Sequence, residues 1–363
     1  MSNLAPISAV SAVGGPAAVG PITGSPLTDS PASVGPVTGQ PALGLLEQAA
    51  PAAPPPPLPA TTPASALETA VHAAATRQGG LATLLADLSV ALARPDLSPA
   101  LKAAIVKVLG FQLPTVPPPT AADLRQALSA SGLFLEARLA SQAGPPPADL
   151  KAALIDLHQA LAVAANGQPA APSLGLPAPE PAPPPPYRDG PQTGQPAVLP
   201  TLPPHPEIQA LAAHLQRRTV AALSRQLLQQ AASTPSEPGV TRTGPWLFEL
   251  PLATPQGAAI AQFQIDADDP PAPGESRERI WRARFTLDLA GVGPVHVNLA
   301  LRGSELRANL WAEVPDAAAR LDQDRVSLAL ALQAQALDPQ IAIRPGAPHT
   351  ELAPAGRFAD SAA

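Results

Sequence analysis

Proline sets the first limit on this chain. Of its 363 residues, 52 are proline. Each one fixes φ and removes an amide donor, so long helices and central strands can stand only where prolines thin out. One large compact enzyme is thereby excluded. Over residues 1–66 prolines recur at 16, 21, 26, 31, 36 and 41, padded with Gly, Ser, Thr, Ala and Val. Burial of such small side chains cannot offset backbone entropy, and the expectation is an extended, disordered segment. Residues 166–204 return to this composition, with polyproline at Pro183–Pro186, and read as a linker. Residues 346–363 read as a disordered tail. Gly35–Ala42 (GPVTGQPA) nearly recurs at Gly190–Ala197 (GPQTGQPA). No periodic array follows, so the pair reads as duplicated linker material.

What remains must build its cores from little. Hydrophobic residues make up 45% of the chain, but alanine supplies much of that share, and only 3 Trp, 1 Tyr and 6 Phe are present. A net charge of −6 offers no phosphate-binding surface, so nucleic acid is not an expected partner. Without cysteine there are no disulfides, thiol catalysis or zinc-thiolate sites. No run of 18 apolar residues occurs, so no membrane insertion is expected. No Lys or Arg precedes Arg77, so the positive n-region of a secretory signal is missing. If the protein leaves the cell, it takes another route.

Residues 67–165 carry helical periodicity in short pieces. Leu81, Leu84, Leu85, Leu88 and Leu92 share one face of a helix that ends near Arg94-Pro95. Ser98-Pro99 reads as an N-cap with proline at N1, opening a helix that carries Leu101, Ile105, Val108 and Leu109. A third starts around Thr120 with Leu124, Leu128, Leu133 and Leu135, open to interruption at Gly132. The fourth, Ala148 to Ala164, aligns Leu150, Leu154, Leu157 and Leu161. Together they predict a small, marginally stable bundle. Residues 205–239 hold one more helix, Glu207–Ala232, with Ile208, Leu211, Leu215, Val220, Leu223 and Leu227 as its apolar positions, and a short linker.

Residues 240–345 differ. Six of the ten aromatics fall between Trp246 and Trp311. Trp281, Ala283, Phe285, Leu287 and Leu289 alternate with Arg282, Arg284, Thr286 and Asp288, the pattern of a half-buried antiparallel strand. Val295, Val297, Leu299 and Leu301 repeat it after a turn at Gly291–Pro294, and Gly303-Ser304 leads into a third strand, Glu305–Val314. Upstream, Trp246–Leu252 and Ala259–Asp266 predict a hairpin. Pro315-Asp316 opens a helix to about Leu337, and Gln340–Arg344 closes with a short strand. The fold class is therefore α+β at the C-terminus, an antiparallel sheet covered by one helix, behind a marginal helical region and long Pro/Ala-rich disordered segments.

Chemistry is sparse. His72, His158, His205, His214, His296 and His349 show no metal-ligand spacing, and His296 reads as an exposed strand histidine. Asp266, Asp268 and Asp269 run into Pro270 and Pro271 and form no calcium loop. Phosphate loops, GxSxG elbows and paired catalytic carboxylates are missing, so no catalytic residue, cofactor or metal is predicted. Arg277, Arg279, Arg282 and Arg284 interleave with Glu275 and Glu278 as a solvated face. Trp311 points away from Leu306, Ala308 and Leu310; burial under the upstream hairpin and exposure as a partner anchor are both open to it.

The ordered series Phe285–Glu313 (FTLDLAGVGPVHVNLALRGSELRANLWAE), a helix and QIAIRPG resembles the C-terminal domain of flagellar hook-length control proteins. Val292-Gly293-Pro294-Val295-His296-Val297 fills the family's turn-and-strand motif, with Val292 in place of its leucine. Leu124–Ala140 with Asp149–Leu157 is similar to upstream regions of some members.

The resemblance implies a non-enzymatic regulator. Made in the cytoplasm and exported through the flagellar type III apparatus, such a protein measures the growing hook and switches export from hook-type to filament-type substrates. Its implied partners are the cytoplasmic domain of the export-gate switch protein and the hook and hook-cap proteins, met as a monomer. Gly293, Val295, Val297, Leu299 and Trp311 are the candidate contact residues. Alternation alone makes Val295 and Val297 core, and both roles hold if the domain rearranges. Fully extended at ~3.1 Å per residue, about 240 residues would span on the order of 700 Å. Three alternatives stand beside this reading: a surface stalk with a globular binding tip, a length-control protein of a related non-flagellar type III system, and a cytoplasmic enzyme with a disordered extension.

Overall fold

Two hydrophobic periods run through the chain, one of the helix and one of the strand, and in the computed structural model they form two layers sharing one interface. The structure describes residues 63–141, 148–165, 182–203, 205–234, 245–268 and 278–348. The chain divides into two units, Met1–Pro59 and Ala60–Ala363, and every described residue belongs to the second. The disorder expected over 1–62, 166–181 and 349–363 lies outside the described residues.

The helical layer starts earlier than its sequence suggests, with α1 (Pro63–Arg77) opening inside the stretch expected to be disordered to residue 66. Then come α2 (Leu81–Leu92), α3 (Pro99–Leu109), a two-residue strand β1 (Leu113–Pro114), α4 (Ala121–Ser129), α5 (Leu135–Ala140), α6 (Leu150–Ala164) and the long α7 (Ile208–Ser233). Their starts are chemically marked. The Ser98 hydroxyl accepts from the Leu101 amide; Thr120 and Asp123 form a reciprocal capping box; the Asp149 carboxylate accepts from the Lys151 and Ala152 amides. The third predicted helix breaks around Gly132, as its sequence allows, into α4 and α5. Leu84, Leu85, Leu88, Leu101, Ile105, Leu154, Leu157, Leu161, Leu211 and Leu215 are fully or almost fully buried in one cluster. At ~1.5–3 kcal/mol for each buried leucine, this is a real core.

The sheet layer has β2 (Trp246–Thr254), β3 (Gly257–Ala267), β4 (Ile280–Leu289), β5 (Gly293–Arg302), β6 (Glu305–Ala312), α8 (Pro315–Gln323), α9 (Arg325–Gln333) and β7 (Asp338–Pro345). The strands lie in chain order, β1 to β7. β2 to β6 are antiparallel, as the alternation requires, but β1 joins β2 and β7 joins β6 in parallel, so the sheet is mixed. The β7 pairing follows from its connection: a helical crossover returns the chain to its starting end, where only parallel pairing is open. The single predicted helix is two, divided at Asp324.

Register places Phe248, Phe263, Phe285, Val297, Leu310 and Ile343 in one row across one face. Phe248, Phe263 and Phe285 stack along it, with ring centroids 5.2 and 5.0 Å apart. α4 packs on this face at its β2 side, and α8 on β6 and β7. The opposite face carries Ala258 and Ile260 into the leucine core, so the helical region is joined to the sheet.

The segment read as linker is bonded along its described part. Residues 182–203 form a strap between the layers. Pro184 O accepts from Arg225 at 2.9 Å, Gln195 pairs with Ile260, and the Thr201 hydroxyl donates to Asp87 at 2.8 Å. Its Gln and Thr side chains and its bare carbonyls meet partners that few-residue periodicity cannot reveal.

Candidate functional site

The candidate site is the first half of β5 with the start of α8 folded over it. Gly293 opens β5 at φ +76°, and a Cβ there would come 2.7 Å from Val314 Cγ2. Glycine is therefore required twice, for the backbone angle and for the approach of Val314. Val314 precedes α8, so this contact fixes where the helix leaves the sheet. Val295 and Val297 are 8% and 7% exposed, packed with Leu310, Ala312, Ala317 and Ala318. Leu299 is half-buried at the edge of the same cluster.

The other face of this strand is polar. His296 Nδ1 lies 2.9 Å from Thr286 Oγ1, and its Nε2 lies 2.9 Å from Glu313 Oε1. The expected exposed histidine is thus bonded at both nitrogens, pinning the residue before Val314. Trp311 sits directly across from His296 in the β5–β6 register and is half-buried, with the Arg344 guanidinium 6.0 Å from its ring. Beside them burial raises the Asp288 pKa and the charge of Glu313 raises it further, against the lowering effect of His296.

Of the five candidate residues, the structure brings Val295, Val297 and Leu299 together on one side of β5, with Gly293 at its head. It puts Trp311 on the opposite side. They do not form one surface.

Other sequence candidates resolve into pairs. Arg282 Nη1 bonds Asp268 at 2.5 Å and lies 3.6 Å from Asp266, and Arg284 bonds Asp189 at 2.8 Å. The acidic run is thus arginine-paired, while Asp269, Glu275, Arg277 and His349 lie outside the described residues. Among the described residues no cluster of His, Cys, Asp and Glu could hold a metal ion. No described helix is long and apolar enough to cross a membrane.

Sequence reasoning missed a second polar centre, on α7. Arg225 is 1% exposed; its Nε donates to Glu249 at 2.7 Å and its Nη1 to Gln78 Oε1 at 2.9 Å. About three turns earlier on the helix, His214 Nε2 lies 2.8 Å from Asp87 Oδ2, which also accepts from the Thr201 hydroxyl, while Asp87 Oδ1 accepts from the Thr201 amide. Burial raises the Asp87 pKa, but hydrogen bonds from His214 and Thr201 outweigh it and hold the carboxyl below its ordinary value. The predicted apolar positions Val220, Leu223 and Leu227 are only half-buried. The face turned inward carries Arg225, Gln226 and Gln229 instead.

The described residues thus form a mixed sheet whose turn-and-strand motif is capped by a short helix. Residues 274–351 match a family model, that of the flagellar hook-length control protein FliK. This is the family the sequence resembles, and the match spans β4 to β7 with the candidate site. The comparisons with curated proteins and with solved structures each give no match.

Proposed function

We propose that the protein regulates flagellar hook length and, through its C-terminal sheet, switches type III export from hook-type to filament-type substrates. One observation carries this reading: the stretch matching the hook-length control family holds its turn-and-strand motif under α8 by small contacts. Ala317 and Ala318 are the buried residues of α8, and α9 has none. No side-chain cap holds the N-terminus of either helix. A cover this light can lift without unfolding the sheet, presenting Val295 and Val297 to the cytoplasmic domain of the export gate. The residues preceding α1 act as the ruler, and the protein works without cofactor as a regulator.

The test of the ruler is excision of residues 6–30. At about 3.1 Å per extended residue, hooks should shorten by up to ~80 Å while filaments still form. Unchanged hook length in cells that secrete the shortened protein contradicts a ruler in this segment.

A further inference from the structure

From Asp189 to Gln195 the strap is held to the sheet by hydrogen bonds. Asp189 accepts from Arg284 at 2.8 Å and from Gln264 at 3.1 Å. The Thr193 amide donates to Gln262 Oε1 at 2.6 Å, and Gln195 Nε2 donates to Glu249 at 3.0 Å. Water takes over each of these bonds when the segment lifts, so their net contribution is small. One group even gains by lifting: Gln192 Oε1 is buried and has no partner among the described residues. This stretch is lightly docked.

Where it passes β4, the strap lies against main chain. A Cβ on Gly194 would stand 3.0 Å from Asp288 N, 3.1 Å from Thr286 O and 3.2 Å from Leu287 C. Strand main chain does not yield as a flexible side chain does, so glycine is needed for the approach. Thr286 is 3% exposed, and from it polar contacts run across the sheet to the root of α8. Its hydroxyl lies 2.9 Å from His296 Nδ1, and His296 Nε2 lies 2.9 Å from Glu313. The Glu313 amide donates to Pro294 O at 3.1 Å, and Val314 follows as the N-cap of α8. Such a chain is strongest where water is kept from its buried end.

We propose that the docked strap keeps α8 closed. It shields Thr286, Thr286 orients His296, and His296 holds Glu313 at the start of the helix. Lifting the strap admits water to Thr286 and loosens α8 over Val295 and Val297. The strap is thus an inhibitory clamp on the candidate contact surface, a role that rests on the reading of α8 as a cover that lifts. It lies outside residues 274–351, so the matched stretch does not carry this control itself.

Thiol labelling of the full-length chain tests the clamp. The chain has no cysteine, so Ala318→Cys places a single thiol under α8, where Ala318 is 7% exposed. Its reaction rate with iodoacetamide reads the opening of the helix. Gly194→Val, which pushes the strap off β4, should raise that rate about tenfold. Ala153→Cys, in the fully buried leucine core, should label no faster in the same background. His296→Ala should speed labelling at position 318 by itself, and Gly194→Val should then add little. Gly194→Ala serves if Gly194→Val does not fold. An unchanged rate at position 318, equal acceleration at both thiols, or full additivity of the two substitutions overturns the proposal. Electron microscopy separates the reading beneath it, since early switching should give cells with Gly194→Val short hooks. Faster labelling with hooks of normal length would uphold the clamp and contradict the switch role of α8.

Discussion

At the scale of single residues, the most consequential side chain is one the sequence disguises. Arg225 falls outside the apolar positions that helical periodicity picks out, yet it is buried against Glu249, Gln78 and Pro184. Nothing local marks it, because Gln78 is 147 residues away and Glu249 belongs to the other layer. Arg225→Ala leaves the Glu249 charge buried without its cation. It should cost about 3–5 kcal/mol in chemical denaturation, and Arg225→Met with Glu249→Leu should regain part of that. A loss below ~1 kcal/mol would show the pair to be solvated. Asp87 sets the pH dependence. Its folded-state pKa is depressed, so its stabilising contribution is complete above the ordinary value of 3.8 and is lost as pH falls through the lower folded value. Acid should therefore loosen the Thr201 end of the strap below about pH 4, and Asp87→Asn should flatten that dependence. Exchange of the Thr201 amide against pH reads it; protection that stays constant to pH 2 in the native protein would contradict the assignment.

Elements were legible where one face meets a core. The alternation from Trp281 to Leu289 and from Val295 to Leu301 gives β4 and β5 with their faces, and Ser98 and Thr120 mark their helices because caps are local chemistry. Legibility ends where an element's role depends on a distant partner. β1 has two residues and exists only by pairing with β2. The mixed sheet was not readable because the two parallel strands are edge strands, and the direction of β7 is set by the helical crossover before it rather than by any pattern within the strand. α9 is the instructive case. It carries Val326 and Leu330, yet these are 66% and 61% exposed. Leu330→Glu should thus change stability by no more than about 0.5 kcal/mol, whereas Ala318→Glu forces a charge between α8 and β5 and should cost several times as much. Denaturant midpoints compare the two, and equal effects would mean that α8 does not cover β5.

For the molecule as a whole, composition separates proline-rich from foldable stretches, but it undervalues the helical region. That region is no isolated marginal bundle, because its leucine core continues into Ala258 and Ile260 of the sheet and the strap bonds both layers. The packing of the helices on the sheet was not visible in the sequence because helix period and strand period each describe one element at a time. At the candidate site the motif and its apolar residues could be read, while the cover by Ala317 and Ala318 could not, since alanine marks no face. The switch assignment meets its most direct test in Val297→Asp, examined by electron microscopy of the flagella alongside circular dichroism of the protein. A carboxylate placed in the cluster with Leu310 and Ala318 lacks a partner and should cost several kcal/mol. The expected result is a disrupted sheet and cells bearing overlong hooks without filaments. A folded variant with hooks of normal length and complete filaments would contradict both the burial of Val297 and its part in the switch.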